Sequence, residues 1–199
     1  MMILAIDSIS ERPGAALWRD GIIAVKSPSP SEKVPRASDR LLPFVSELLE
    51  EAGARLDQLD GIALTAGPGS FTGIRVGLAL VKGLLFQRTL PVAAVSTLDL
   101  LADLESAALP SVQLRKTEWF LALSGETRSV DAETWRALTS GRDVILLGEA
   151  PTNHQARINR VVDSLARTVA RMGAEKIRQG NGVPVEQVTP LYLRNTYVA

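Results

Sequence analysis

Residues 67–77 read Gly-Pro-Gly-Ser-Phe-Thr-Gly-Ile-Arg-Val-Gly. Glycines beside a helix start can hold an anion through free backbone N–H groups. The spacing is not that of a P-loop, because Gly69 is followed four residues later by Gly73 with no lysine beside it. Two further readings fit the same residues. Gly73 and Gly77, four apart on one helical face, let another backbone approach and so suit partner contact. Alternatively they mark a tight turn followed by a closely packed core helix. A second candidate is Asp7, which ends the apolar run Met2–Ile6. It is placed either to bind a charged group or to accept hydrogen bonds from loop N–H groups.

Other chemistries are poorly supplied. The chain has no cysteine and one histidine, His154, in a polar loop. Disulfides, thiolate metal sites and paired-histidine sites are therefore excluded, and His154 is expected to be exposed and uninvolved. Lys+Arg and Asp+Glu each number 22, so the net charge is zero, unlike a protein that binds nucleic acid by itself. Aromatics at 5% are too few for a base-stacking platform. With 199 residues and 46% hydrophobic content, the chain can build one large or two small cores. Asp7 interrupts the first apolar run too early for a signal peptide, and no run approaches a membrane span. A cytoplasmic protein is expected.

The positioning elements follow from apolar patterning. Met2–Ile6 reads as a strand buried on both faces. Ala15–Trp18 and Ile22–Val25 read as a hairpin across the Arg19-Asp20-Gly21 turn. A Ser- and Pro-rich loop over residues 27–36 leads to a helix over Ala37–Ala52. Its apolar face runs through Leu41, Leu42, Val45, Leu48 and Leu49, with Phe44 off the stripe and Pro43 in the first turn or at a kink. Gly61–Ala66 is the strand entering the glycine turn, and Ser70 or Thr72 caps the helix that continues through Leu80 and Leu84 to Phe86. Pro91–Val95 is a further strand, and a helix capped by Ser96 runs to about Glu105. Later, Asp143–Gly148 reads as a buried strand, and Ala156–Met172 as an amphipathic helix stopped by Gly173.

The glycine turn, G-P-G-S-F-T-G-x-R-x-G, resembles the signature of the bacterial TsaB (YeaZ) family, subunits of the tRNA threonylcarbamoyladenosine machinery. Val95-Ser96-Thr97-Leu98 and the tail Pro190-Leu191-Tyr192-Leu193-Arg194-Asn195 resemble the same family. The resemblance implies an α/β actin-like ATPase (ribonuclease-H-like) fold with two similar lobes, the second one reduced. The expected domains are 1–105 and 106–199.

It also implies a non-catalytic subunit, a pseudoenzyme. Such a protein pairs with the catalytic TsaD protein, supports binding of the ATPase TsaE, forms a homodimer when alone and meets tRNA only through the complex. TsaD proteins place an H-x-x-x-H metal pair on the helix matching 37–52, which this chain lacks. Relatives carry Asp-Ala-Arg where this chain has Gln113-Leu114-Arg115, so the acidic residue is replaced. No cofactor is expected to bind tightly, with ATP or ADP at the TsaD joint as the candidate ligand. Asp7, Gly69 and Arg75 are its candidate contacts, since in ATPases of this fold the first-strand Asp faces metal-bound phosphates. The expected partner surface comprises Leu41, Phe44, Val45 and Leu48 with Ser70, Phe71, Gly73, Ile74, Gly77, Leu80 and Leu84. On this reading Gly77→Glu breaks pairing and leaves the fold intact. The rival reading is an ATPase or phosphotransferase acting alone through Asp7 and the glycine turn.

Overall fold

The computed structural model describes residues 1–29, 31–32, 36–161 and 163–191. The expected residues Tyr192–Asn195 of the tail, Val162 and part of the 27–36 loop lie outside them. Met2–Asp7 (β1) is the central strand of a five-stranded sheet. It pairs antiparallel with Gly14–Arg19 (β2), Ile3 opposite Trp18 and Asp7 opposite Gly14. Ile22–Lys26 (β3) continues the antiparallel side. On the other side Gly61–Gly67 (β4) and Val92–Ser96 (β5) pair in parallel, giving the order β3-β2-β1-β4-β5.

β1 is apolar from Met2 to Ile6 because both faces are covered. Leu4, Ile6, Leu17, Ile62 and Leu64 meet Leu41, Phe44, Val45 and Leu48 of Ala37–Glu51 (α1) and Val81 of Phe71–Leu84 (α2). Ile3, Ala5, Ala16, Ala63 and Ala93 face the other way, against Leu100 of Thr97–Leu104 (α3) and Val169, Ala170 and Ala174 of Ala166–Arg178 (α5). The alternation along β1 is the pleat of a strand read on its two faces. Pro43 sits in the second turn of α1, beyond the first-turn position expected.

The second sheet repeats this plan. Leu109–Arg115 (β6), Glu118–Leu123 (β7) and Glu126–Val130 (β8) are antiparallel neighbours. Asp143–Leu147 (β9) and Arg157–Val161 (β10) add in parallel, giving β10-β9-β6-β7-β8. Ala132–Thr139 (α4) stands where α1 stands in the first lobe, between the third and fourth strands. No helix joins β9 to β10, whereas α2 joins β4 to β5. The fold is therefore the α/β actin-like (ribonuclease-H-like) one, built of two similar lobes with the second reduced.

Two expectations are corrected. Residues 156–172 are not one helix: β10 comes first, and α5 starts at Ala166. Ile158 packs with the tryptophan cluster of the second lobe and Val161 on the opposite side, as alternating strand faces require. Gly173 does not stop α5, which continues to Arg178. A side chain there would overlap the Ala63 Cβ, so the glycine lets α5 lie flat on the alanines of the sheet. The sheets change over between Ser96 and Leu109, yet α5, expected with the second lobe, covers the first sheet. Val183, Val185 and Val188 also pack into the first lobe's core.

Candidate functional site

The glycine turn is built by β4 and the start of α2. Gly67 has φ 104° and Gly69 φ 155°, values that side chains resist, and the Gly67–Pro68 bond is cis. Ser70 caps α2, its hydroxyl accepting from the Gly73 N–H at 3.1 Å. A side chain at Gly69 would overlap Ile9, so the turn presses against the loop that follows β1.

The same loop decides between the readings of Gly73 and Gly77. A Cβ on Gly73 would overlap the Ser8 carbonyl oxygen, and one on Gly77 the Ser8 Oγ. The glycine face looks inward, onto this chain's own backbone, and the tight-packing reading holds. Gly77→Glu therefore attacks the fold, contrary to the expectation from the sequence.

Most of the other residues expected on the partner surface are also committed to the core. Leu41, Phe44, Val45 and Leu48 are buried under the first sheet, and Arg40 lies over the Phe44 ring at 4.6 Å. Ile74 is buried with Ile9, Leu98, Val112 and Phe120, while Leu80 and Leu84 are half-buried against the core. Their side chains pack inside because the apolar stripe of each helix is the stripe that covers the sheet. Ser70 and Phe71 remain exposed.

The outward face of α2 carries a different set. Phe71 is 51% exposed, with the Arg75 guanidinium 3.9 Å from its ring centroid. Ala79 and Lys82 continue the exposed face, and Phe86, just past the helix, is 75% exposed. On α1, Leu42 is 52% exposed. The sequence placed Leu42 on the buried apolar stripe and Phe86 inside the helix, and neither among the expected surface residues; the structure exposes both. Their signal was position: a 100° step separates Leu42 from the buried Leu41, and Phe86 follows the last helical turn.

Asp7 is fully buried at the end of β1. Its Oδ2 accepts from the Ser10 hydroxyl at 2.5 Å, the Leu165 N–H at 2.6 Å and the Ser164 hydroxyl at 3.1 Å. Its Oδ1 accepts from the N–H groups of Ile9 at 3.2 Å and Ser10 at 3.3 Å. Burial pushes its pKa above the usual carboxylate value, and these donors pull part of the way back. All five of these donors belong to this chain, so both carboxylate oxygens, expected from the sequence to meet a phosphate, are engaged by internal donors.

Between the lobes lies a cavity of about 320 Å³. Gly69 and Thr72 line it from the first lobe, Gln113 and Gly148 from the second. Gln113 Oε1 accepts from the Glu149 N–H at 2.9 Å, closing the second lobe's edge of the cleft. Among the described residues the one charged side chain lining it is Glu11, paired with Arg160 at 2.5 Å. That pair carries no net charge, so these described lining residues bring no unpaired cation to a phosphate. Arg75 is not among the residues lining it. Among the described residues no cluster of three or more His, Asp or Glu could hold a metal. His154 is not exposed as expected: it is half-buried, edge-on to Trp135 at 6.0 Å, with Nδ1 buried and unpartnered.

Comparison with known proteins places this geometry. Residues 29–133, just over half of the chain, match the family model of TsaD, tRNA N6-adenosine threonylcarbamoyltransferase. The tRNA threonylcarbamoyladenosine biosynthesis protein TsaB of Escherichia coli is 39% identical over 104 residues, 52% of this chain and 43% of that protein. A solved structure, YeaZ from Pseudomonas aeruginosa, superimposes with a TM-score of 0.71 at 28% identity, covering 96% of this chain and 99% of that one. This chain belongs to the TsaB/YeaZ family. The tRNA N6-adenosine threonylcarbamoyltransferase of Geobacter is also similar, 36% identical over 113 residues, 50% of this chain and 33% of that protein. The matched stretches thus span less than half the length of these two curated relatives. α1, the glycine turn and α2 fall inside residues 29–133, matched by the TsaD family model, whereas Asp7 and α5 fall outside them. Among the described residues no helix is long and apolar enough to cross a membrane.

Proposed function

We propose that this chain is a non-catalytic partner subunit of the complex that makes threonylcarbamoyladenosine in tRNA. It pairs with a TsaD-type catalytic subunit, supports binding of a TsaE-type ATPase, and meets tRNA only as part of that assembly. Without the partner it forms a homodimer. It is a cytoplasmic protein.

The observation that carries this reading is the division of α2 into two faces. The inner face is consumed by Ser8 and the core; the outer face presents Phe71 under Arg75, with Ala79 and Phe86 beyond. Exposed aromatic side chains with an arginine are the residue types that dominate interface energetics. Leu42 on α1 extends the apolar surface. Such a surface favours burial against a partner over exposure to water.

The polar groups support a pseudoenzyme. Asp7 is engaged by internal donors, Gln113 bonds Glu149, and Glu11, the one charged residue lining the cleft among the described residues, is paired with Arg160. No cofactor binds tightly to the chain alone; a nucleotide, where present, sits at the joint with the partner, near Arg75 on the exposed face.

The test is calorimetric titration of the TsaD-type subunit from the same organism into this chain and its Phe71→Ala variant. Phe71→Ala is expected to weaken binding about tenfold, or ~1.4 kcal/mol, as a central interface aromatic does. Equal affinity of variant and parent overturns the surface assignment. Tight Mg-ATP binding by the chain alone overturns the pseudoenzyme reading and revives an actin-like ATPase.

A further inference from the structure

We infer that Asp7 is a latch through which the second half of the chain sets the position of α2. The first link is the carboxylate itself. Ser164 and Leu165, at the start of α5, donate to one oxygen, and the Ile9 and Ser10 N–H groups donate to the other. One buried group thus ties together segments 155 or more residues apart in sequence.

The second link is Ser8. Its N–H reaches the Thr65 hydroxyl at 3.3 Å. Its carbonyl oxygen fills the space a side chain would take at Gly73, and its Oγ the space at Gly77. That Oγ is buried without a hydrogen-bond partner, so no bond of its own fixes it against α2. The loop's neighbouring residues, Ile9 and Ser10, are held by Asp7 instead. A shift of α5's start therefore moves the Ser8–Ser10 loop, and the loop bears on α2 where α2 has no side chains to cushion the contact.

The third observation is that α5 is strapped along its length. Arg171 pairs with Asp103 and Lys176 donates to the Ala94 carbonyl at 3.1 Å, and past the helix end Val183 bridges Val92. At its start Leu165 has no capping side chain: the Ser164 hydroxyl accepts from the Ala166 N–H at 3.1 Å, and Asp7 accepts from the Leu165 N–H across the molecule. The coupling is a property of the chain alone and does not depend on what binds the outer face of α2.

Hydrogen exchange of the full chain, read by mass spectrometry, tests it. Asp7→Asn is expected to speed exchange about tenfold in the first two turns of α5 and also in the first two turns of α2, with β6 and β9 unchanged. An asparagine amide turned toward Leu165 would set a donor against a donor, which breaks the latch without emptying the site. Ser164→Ala, a milder change, is expected to give the same pattern at smaller amplitude, and it decides the matter if Asp7→Asn does not fold. Faster exchange at α5 with α2 still protected overturns the coupling. Uniform acceleration that includes the second sheet also overturns it, since Asp7 would then be an ordinary core residue. Unchanged exchange at both helices in Ser164→Ala, with Asp7→Asn unfolded, overturns it as well.

Discussion

Two lobes with one strand order part company after their fourth strand. Both turn there on a glycine in the left-handed region, Gly67 at φ 104° and Gly148 at φ 103°. In the first lobe the turn feeds α2, a helix with an inner face for the core and an outer face for something else. In the second it leads to β10 with no helix between. The strand ends beside the two turns differ in the same sense. Asp7 binds a distant helix start, while Gln113 binds the N–H of Glu149, the residue after the glycine. One frame can thus be kept for its surface on one side and closed upon itself on the other, with Glu11 the one ionisable residue lining the cleft among the described residues.

The sharpest way to break this contrast is at the glycines. Gly148→Val meets the Gln113 Cβ at 2.5 Å and also holds a branched side chain at φ 103°, so backbone strain adds to overpacking and the expected cost is the larger, about 4–5 kcal/mol. Gly77→Val drives a branched side chain into Ser8 and is expected to cost about 3 kcal/mol, the upper range for overpacking, by urea unfolding. Equal costs would mean that the left-handed backbone adds nothing to the overlap.

Carboxylates give a second, smaller contrast. Burial raises Asp7, so its contribution to stability is fully present below the ordinary carboxylate pKa of 3.8 and is lost as pH rises through the folded value. Asp143 in the second lobe is lowered by its hydrogen bonds to Arg157, so its contribution is present above 3.8 and lost as pH falls through the folded value. The stability of the parent relative to Asp7→Asn should therefore fall with rising pH, and relative to Asp143→Asn it should rise. Unfolding curves from pH 3 upward, on both variants, check the two slopes; slopes of the same sign would contradict the assignment. The smallest effect belongs to the outer surface. Phe86→Ala, at a side chain 75% exposed, should change the stability of the chain by no more than about 0.5 kcal/mol.

The first lobe was readable because its elements announce themselves locally. Met2–Ile6 and Gly61–Ala66 are unbroken apolar runs, and Ser70 and Ser96 are helix caps of the expected type. The second lobe was less so. β8 reads Glu-Thr-Arg-Ser-Val with four of five residues exposed, and α4 carries two large apolar residues, Trp135 and Leu138, in eight positions. At the site, a spacing of four placed Gly73 and Gly77 on one face but could not say whether that face looks in or out. Ser8 answers that, and its contact is tertiary. The fate of Asp7 rests on Leu165, far along the chain, and no local pattern encodes it.

The central claim is that the outer face of α2 serves a partner subunit. Light scattering on size-exclusion fractions, of the chain alone and mixed with the TsaD-type subunit of the same organism, tests it most directly. The account predicts a homodimer that converts to a stable one-to-one complex. A monomer whose mass is unchanged by the TsaD-type subunit would contradict it.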